Sequence, residues 1–263
     1  QAEPDPDFPT VPFPNPEEAG ALDMAIEQAR AEDADLIIAV DPDADRCALA
    51  VPDPHAEAEW TQLSGDQIGC LLGEFLAARG LEGSLANSIV SSRLLARIAR
   101  SHGLEHHTTL TGFKWIARAP QLAFGYEEAI GFCPNPSVAR DKDGIATSVV
   151  AASLFAALKT EGRTAWDELD RLAHAHGLHV TGPLTFRVEE IAQINTGMAR
   201  LRAQPPSELA GSPVVEVSDL AEGYRGLPPT DGVLVLTEAG DRVIARPSGT
   251  EPKLKCYLEV ILP

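Results

Sequence analysis

The chain has 263 residues, a formal charge of −18 at neutral pH, and an apolar share of 44% against 23% charged. That length exceeds one average domain and allows two or three modules with sizeable cores, and the composition is ordinary for a soluble globular protein. The acidity excludes general binding to nucleic acid or anionic membranes, which need basic surface, and no run approaches the roughly 18 apolar residues that cross a bilayer.

The first residues, Gln1-Ala2-Glu3-Pro4-Asp5, have neither the basic start nor the apolar core of a signal peptide. Cys47, Cys70, Cys133 and Cys256 are scattered without a CxxC pair, which argues against a zinc knuckle or a disulfide frame. A reducing cytoplasm is the expected location.

Residues 4–16 are rich in proline and read as a tag or linker. Asn15-Pro16-Glu17-Glu18 predicts a helix start, with Asn15 as cap and Pro16 in the first position, and Leu22, Ile26 and Ala29 on one face. A strand over 36–40 follows, so this first unit, 1–56, is a partial α/β domain with too few elements to cover its own sheet.

That strand runs into Asp41-Pro42-Asp43-Ala44-Asp45-Arg46. Three carboxylates at alternate positions aim hard oxygen ligands at one point, which suits Mg²⁺ beside a substrate phosphate. An EF-hand is excluded, because its sixth and twelfth positions require glycine and glutamate and here hold Arg46 and Pro52. A merely solvated acidic turn would leave three carboxylates repelling one another.

The region 57–176 reads as a complete α/β domain with a mixed sheet. Ser64-Gly65-Asp66 opens a helix with Ile68, Leu71, Leu72, Phe75 and Leu76 as its stripe, ended by Gly80. A strand is expected at Ser88–Ser91, then a helix through Leu94, Leu95 and Ile98 that stops at Gly103. Two loops follow, Thr111–Lys114 and Gly125–Gly131, and Arg140-Asp141-Lys142-Asp143-Gly144 precedes a helix over 145–159. In such sheets the ligand loops lie at strand carboxyl ends. From 177 to 263 an α+β module is expected: strands 178–188, 213–218, 232–237 and 241–245, and a helix carrying Ile191, Ile194, Met198 and Leu201. Its last strand alternates, with Leu254, Cys256, Leu258 and Val260 on one side.

Arg246-Pro247-Ser248-Gly249-Thr250-Glu251-Pro252-Lys253 offers hydroxyls, consecutive backbone N–H groups and flanking cations, a nest for an anion in an otherwise acidic protein. The bland alternative is an ordinary hairpin connection. Ser248 lacks the GxSxG setting of a hydrolase nucleophile, so it reads as a ligand contact. Glu127 and Glu128 could serve acid–base work or hold sugar hydroxyls, although paired loop glutamates are commonly just solvated. His106, His107, His174, His176 and His179 have no spacing suited to metal and read as solvated or core histidines.

In this order the motifs resemble the α-D-phosphohexomutase superfamily, the phosphomannomutases and phosphoglucomutases. Asp41–Arg46 is similar to its magnesium loop, Gly125–Gly131 to its sugar loop and Arg246–Lys253 to its phosphate loop. Residues 111–116 and 140–144 resemble active-site loops of its third domain, and 6–18 the entry to the last helix of its second. The resemblance implies phosphoryl transfer from a phosphoserine to a sugar monophosphate, by way of a sugar bisphosphate that turns over and returns its other phosphoryl group.

It further implies Mg²⁺ on Asp41, Asp43 and Asp45, with Arg46 beside the transferring group. Lys142 would be a proton shuttle and Lys114 a second catalytic lysine. Thr111, Gly112, Glu127 and Glu128 would contact the sugar, and Arg246, Ser248, Gly249, Thr250 and Lys253 the non-reacting phosphate. Two departures stand out. No serine loop of the Thr-Ala-Ser-His-Asn-Pro type occurs, so the phosphoserine domain is expected as a missing partner and the chain alone is expected to be inactive. Ala129 replaces a serine found in many hexomutases, and this version of the loop resembles the phosphopentomutase-like branch. A non-catalytic phosphosugar-binding module is the alternative from another class.

Overall fold

A computed structural model describes residues 5–11, 13–57, 59–248 and 252–262. The fold is mixed α/β, and by contact the chain forms two compact units. The first holds residues 1–88, 95–108 and 112–171; the second holds 89–94, 109–111 and 172–263.

In the first unit, helix α1 (Asp23–Ala31) covers a three-stranded antiparallel sheet of β1 (Ile37–Val40), β2 (Cys47–Pro52) and β3 (Trp60–Gln62). Leu22, Ala29, Ile37, Ala50 and Trp60 form the core between them. The helix does not start at Pro16 as the sequence suggests. Asn15 Oδ1 caps only a turn, accepting Glu17 N–H at 3.0 Å, and Gly20, at φ +81°, breaks the path before Asp23. Strand β2 was not anticipated. Its residues Cys47–Val51 are 0–2% exposed, and so short an apolar run carries no period by which to type it.

In chain order there follow α2 (Gly65–Ala77), β4 (Ser84–Ser88), α3 (Leu94–Ser101), β5 (Glu105–Thr109), α4 (Phe113–Ile116), β6 (Leu122–Glu127), β7 (Gly131–Cys133), α5 (Gly144–Thr160) and α6 (Ala165–His176), all in the first unit but for Leu94, Thr109 and the end of α6 from Leu172. The sheet order is β5-β4-β6-β7, with β4 and β6 parallel and β6 and β7 antiparallel. Helix α2 opens on a full capping box between Ser64 and Gln67. A Cβ on Gly69 would fall 2.5 Å from the Tyr126 ring, so glycine there lets the helix lie directly on β6. Tyr126 is fully buried and donates its hydroxyl to Asp66 Oδ1 at 2.8 Å. The expected loop 125–131 is therefore a strand up to Glu127 and again from Gly131, with a turn of only 128–130.

One further expectation needs correction. The strand expected at Ser88–Ser91 lies at Ser84–Ser88, where polar side chains hide a fully buried segment. Ile89 and Val90 leave that sheet and enter the second unit's core with Leu220, Leu234 and Ile244.

The second unit is a six-stranded antiparallel sheet. In chain order it has β8 (Leu178–Arg187), α7 (Ile191–Ala203), β9 (Glu208–Leu209), β10 (Ser212–Asp219), β11 (Val233–Thr237), β12 (Arg242–Pro247) and β13 (Lys253–Leu262). The order across it is β8-β13-β12-β11-β10-β9. Ile194 and Met198 of α7 pack on Val233, Val235, Ala245, Leu254 and Cys256. The alternation of β13 holds only through Cys256. Beyond it Leu258 and Val260 are 37% and 38% exposed, and the buried residue is Glu259, at 1%. Among the described residues no helix is long and apolar enough to cross a membrane.

Candidate active site

The acidic loop leaves β1 and re-enters the sheet as β2. Ala44 takes a left-handed turn at φ +57°, its N–H on Asp41 O at 2.9 Å, and Asp41 Oδ1 accepts Arg46 N–H at 3.0 Å. The turn brings one ligand oxygen each from Asp41, Asp43 and Asp45 to within 4.8 Å of one another. Burial, with the charges of Asp45 and Asp43, raises the Asp41 carboxyl above the usual carboxylate range against the opposing Arg46 N–H. Arg46 Nε lies 3.8 Å from Asp41 and 3.9 Å from Asp45.

Residues from far along the chain complete this site. Gly144, the first residue of α5, donates its N–H to Ala44 O at 3.0 Å, and a Cβ there would meet Arg46 O at 2.5 Å. Asp143 caps the same helix by accepting Ala146 N–H at 2.8 Å. Lys142 Nζ reaches Asp45 Oδ2 at 3.0 Å, and its stem crosses Gly131, where a Cβ would fall 2.4 Å from Lys142 Cδ. Burial works against the Lys142 charge, but the Asp45 carboxylate and the charges of Asp141 and Glu127 raise its pKa above an ordinary lysine's. A cavity of about 400 Å³ opens on the loop, lined also by Phe13, Pro14 and Asn15. The proline-rich segment read as a linker thus walls the site.

The donor set fits a hard divalent cation. Three carboxylates converge with no apolar or sulfur ligand among them, and the cations already beside them are the Lys142 ammonium and the Arg46 guanidinium. Among the described residues no other group of three His, Cys, Asp or Glu side chains converges in this way.

The two glutamates of the sugar loop separate. Glu127 Oε1 accepts Gly112 N–H at 2.7 Å, and burial raises its pKa, offset by that N–H and by Lys142 and Arg46. Glu128 turns away and accepts the Ser88 hydroxyl at 3.1 Å. Lys114 is exposed on α4, its ammonium 5.8 Å from the Trp115 ring, and among the described residues it makes no ion pair with the acidic loop. Thr111 belongs to the second unit. The histidines do not gather: His106 pairs with Asn87 at 3.0 Å, burial lowering its pKa to about 4, and His179 pairs with Glu259 at 3.1 Å.

In the second unit, Arg246–Lys253 runs from the end of β12 to the start of β13, two strands that pair antiparallel. Gly249 and Thr250 lie outside the described residues. Ser248 N–H donates to Lys253 O at 2.9 Å. Arg246 sits directly across from Lys255, and Lys253 across from Arg187 of β8. Directly paired residues share a face, so Arg187, Arg246, Lys253 and Lys255 stand together, and facing like charges are unfavourable without an anion. Among the described residues Arg187, Arg246 and Lys255 form no ion pair. Arg187 escaped sequence reasoning because a lone arginine at a strand end carries no motif.

Three models of the phosphoglucomutase/phosphomannomutase family match: α/β/α domain II at residues 1–54, α/β/α domain III at 64–175 and the C-terminal domain at 158–260. A probable phosphomannomutase of Haemophilus influenzae is 46% identical over 261 residues, 98% of this chain and 53% of that protein. A phosphopentomutase of Mus musculus is 34% identical over 298 residues, 100% of this chain and 48% of that protein. The chain spans about half the length of these relatives. Among solved structures, parafusin, a phosphoglucomutase of Paramecium, superposes with a TM-score of 0.71 at 21% identity, over 96% of this chain and 46% of that one. The N-acetylphosphoglucosamine mutase of Aspergillus fumigatus, in complex with GlcNAc-6P and magnesium, gives 0.51 at 15% identity, over 89% and 52%. At such identities these two likenesses speak for the fold alone.

Proposed function

The chain belongs to the phosphoglucomutase/phosphomannomutase family, and we propose that it forms the metal-, sugar- and phosphate-binding part of a Mg²⁺-dependent phosphosugar mutase, read as domains at 1–56, 57–176 and 177–263. The reaction moves a phosphoryl group between the 1- and 6-positions of a hexose through a phosphoserine and a sugar bisphosphate. The observation that carries this reading is the convergence of Asp41, Asp43 and Asp45 with Lys142 beside them.

Each residue then has a role. Mg²⁺, held by the three aspartates, would neutralise charge on the transferring phosphoryl group, which is the main demand of this chemistry. Arg46 adds a fixed positive charge. Glu127 spends part of Oε1 on Gly112 N–H, which anchors it and leaves Oε2 for a sugar hydroxyl. Lys142 supplies an ammonium that stabilises charge or passes a proton. Arg246, Ser248, Gly249, Thr250 and Lys253 grip the non-reacting phosphate.

No serine loop of the Thr-Ala-Ser-His-Asn-Pro type occurs within these residues. These residues alone should therefore bind without turnover, which would need a phosphoserine supplied from outside them. Pentose is the second reading, favoured by Ala129 and by the mouse phosphopentomutase relative. Calorimetric titration with glucose 1,6-bisphosphate, mannose 1,6-bisphosphate and ribose 1,5-bisphosphate, each with Mg²⁺ and with EDTA, tests all of this. Mg²⁺-dependent binding, tightest for a hexose bisphosphate, is expected. Tighter ribose binding selects the pentose reading, Mg²⁺-independent binding selects a plain binding module, and robust mutase turnover by this chain refutes the need for a partner.

A further inference from the structure

Lys142 is not a surface lysine that happens to lie near an acid. Its side chain is 19% exposed, its stem is threaded over Gly131, and its ammonium ends 3.0 Å from Asp45 Oδ2. Among the described residues its second ion pair is with Asp141, at 3.7 Å. On its other side the ammonium lies 5.6 Å from the centroid of the Phe113 ring, a face that also attracts a cation. Glu127 is close enough for the two charges to act on each other. The lysine head therefore rests on the acidic loop, within electrostatic range of the sugar loop's Glu127 and beside an aromatic face.

Three carboxylates within 4.8 Å need positive charge, and Lys142, at 3.0 Å from Asp45, lies closer to them than Arg46, at 3.8 Å from Asp41 and 3.9 Å from Asp45. We propose that Lys142 stands in for the metal while the acidic loop holds none, and that Mg²⁺ displaces its ammonium from Asp45 toward Glu127 and the sugar. Metal binding and delivery of the lysine then become one event, so Lys142 is presented to substrate only when the site is loaded. This rests on the reading of the acidic loop as a Mg²⁺ site.

Two measurements on the chain test it. Calorimetric Mg²⁺ titration compares the wild type with Lys142→Met, which keeps the stem over Gly131 and removes the charge. Loss of a competing cation about 4 Å from the metal should tighten Mg²⁺ binding about three- to tenfold. Acetylation of Lys142 by acetic anhydride, read by mass spectrometry with and without Mg²⁺, separates true displacement from simple repulsion. Displacement predicts faster labelling of Lys142 with Mg²⁺. Weaker Mg²⁺ binding by Lys142→Met would make the lysine an anchor for Asp45 and overturn the proposal. Labelling unchanged or slowed by Mg²⁺ would overturn it as well. Absence of Mg²⁺ binding in both proteins would instead remove the metal reading itself, and this inference with it.

Discussion

Replacing Glu259 with glutamine should cost the second unit about 3 kcal/mol at neutral pH, far more than a neutral isostere costs at an ordinary strand position. Glu259 is 1% exposed and accepts from four side chains or backbone groups. Arg93 donates its backbone N–H at 2.7 Å and its Nε at 2.6 Å, the Ser92 hydroxyl donates at 3.0 Å, and His179 Nδ1 lies at 3.1 Å. Arg242 Nη2 lies 3.0 Å away, while its two terminal nitrogens also donate to Ile89 O and Ser91 O. One carboxylate thereby ties β13 and β12 to the segment 89–94. Burial alone would raise its pKa, but the His179 hydrogen bond and the charges of Arg242 and Arg93 bring it from 4.5 down to about 2. At about 1.4 kcal/mol per pKa unit that difference is about 3 kcal/mol, the lower end of what breaking a buried ion pair costs.

The sign follows from proton counting. Between the two values the unfolded chain binds the proton and the folded one does not, so acid favours unfolding. The contribution is complete above about pH 4.5 and is lost as pH falls toward 2. Denaturant unfolding of the wild type and Glu259→Gln from neutral to acid pH measures it, and hydrogen exchange over 178–187 and 253–262 localises the loss. The gap between the proteins should be widest at neutral pH and close on acidification. A gap under about 1 kcal/mol at neutral pH, or one that does not change with pH, refutes the reasoning.

Two further outcomes follow from close approaches and from charge. Gly144→Ala places a methyl group against Arg46 O and Ala44 O, so the acidic loop must shift; overpacking of this kind costs about 1–3 kcal/mol. Mg²⁺ titration should show affinity lost together with thermal stability, and unchanged Mg²⁺ affinity would separate the loop from the helix start. Arg187→Ala should weaken binding of a sugar bisphosphate several-fold, with a smaller salt dependence than the wild type, since one cation of the four-membered face is gone. Equal affinity at low salt would exclude Arg187 from the phosphate site.

The parts of the site that were legible in sequence are those in which one short segment carries the whole chemical signal. Asp41–Arg46 is such a segment: three acids after a buried strand need a cation whatever the rest of the chain does. The Lys142 link to Asp45 joins residues 97 apart and exists only because Gly131 clears the path, so no local pattern could announce it. Arg187 is invisible for the same reason, since its meaning comes from the register that sets it opposite Lys253. In the fold, the helix start failed where Gly20 overrode a good cap, and the strand of 84–88 hid because its buried polar residues are satisfied from elsewhere, as Asn87 is by His106.

Strand β13 makes the limit clearest. Alternation assumes that the apolar residues of a strand face the core, because burying a polar group costs free energy. That cost vanishes when the partners are supplied, and Arg93, Arg242 and His179 supply them from three other segments. The ion cluster then claims the inner face at Glu259, and Leu258 and Val260 are left 37% and 38% exposed on the other. If the cluster sets the register of that face, Glu259→Leu, which an apolar core would welcome, should destabilise the second unit at least as much as Glu259→Gln. It removes the charge, and it leaves Arg242 buried against a hydrocarbon. A Glu259→Leu variant more stable than the wild type would show that burial of apolar area, and not the ion cluster, governs the end of this strand.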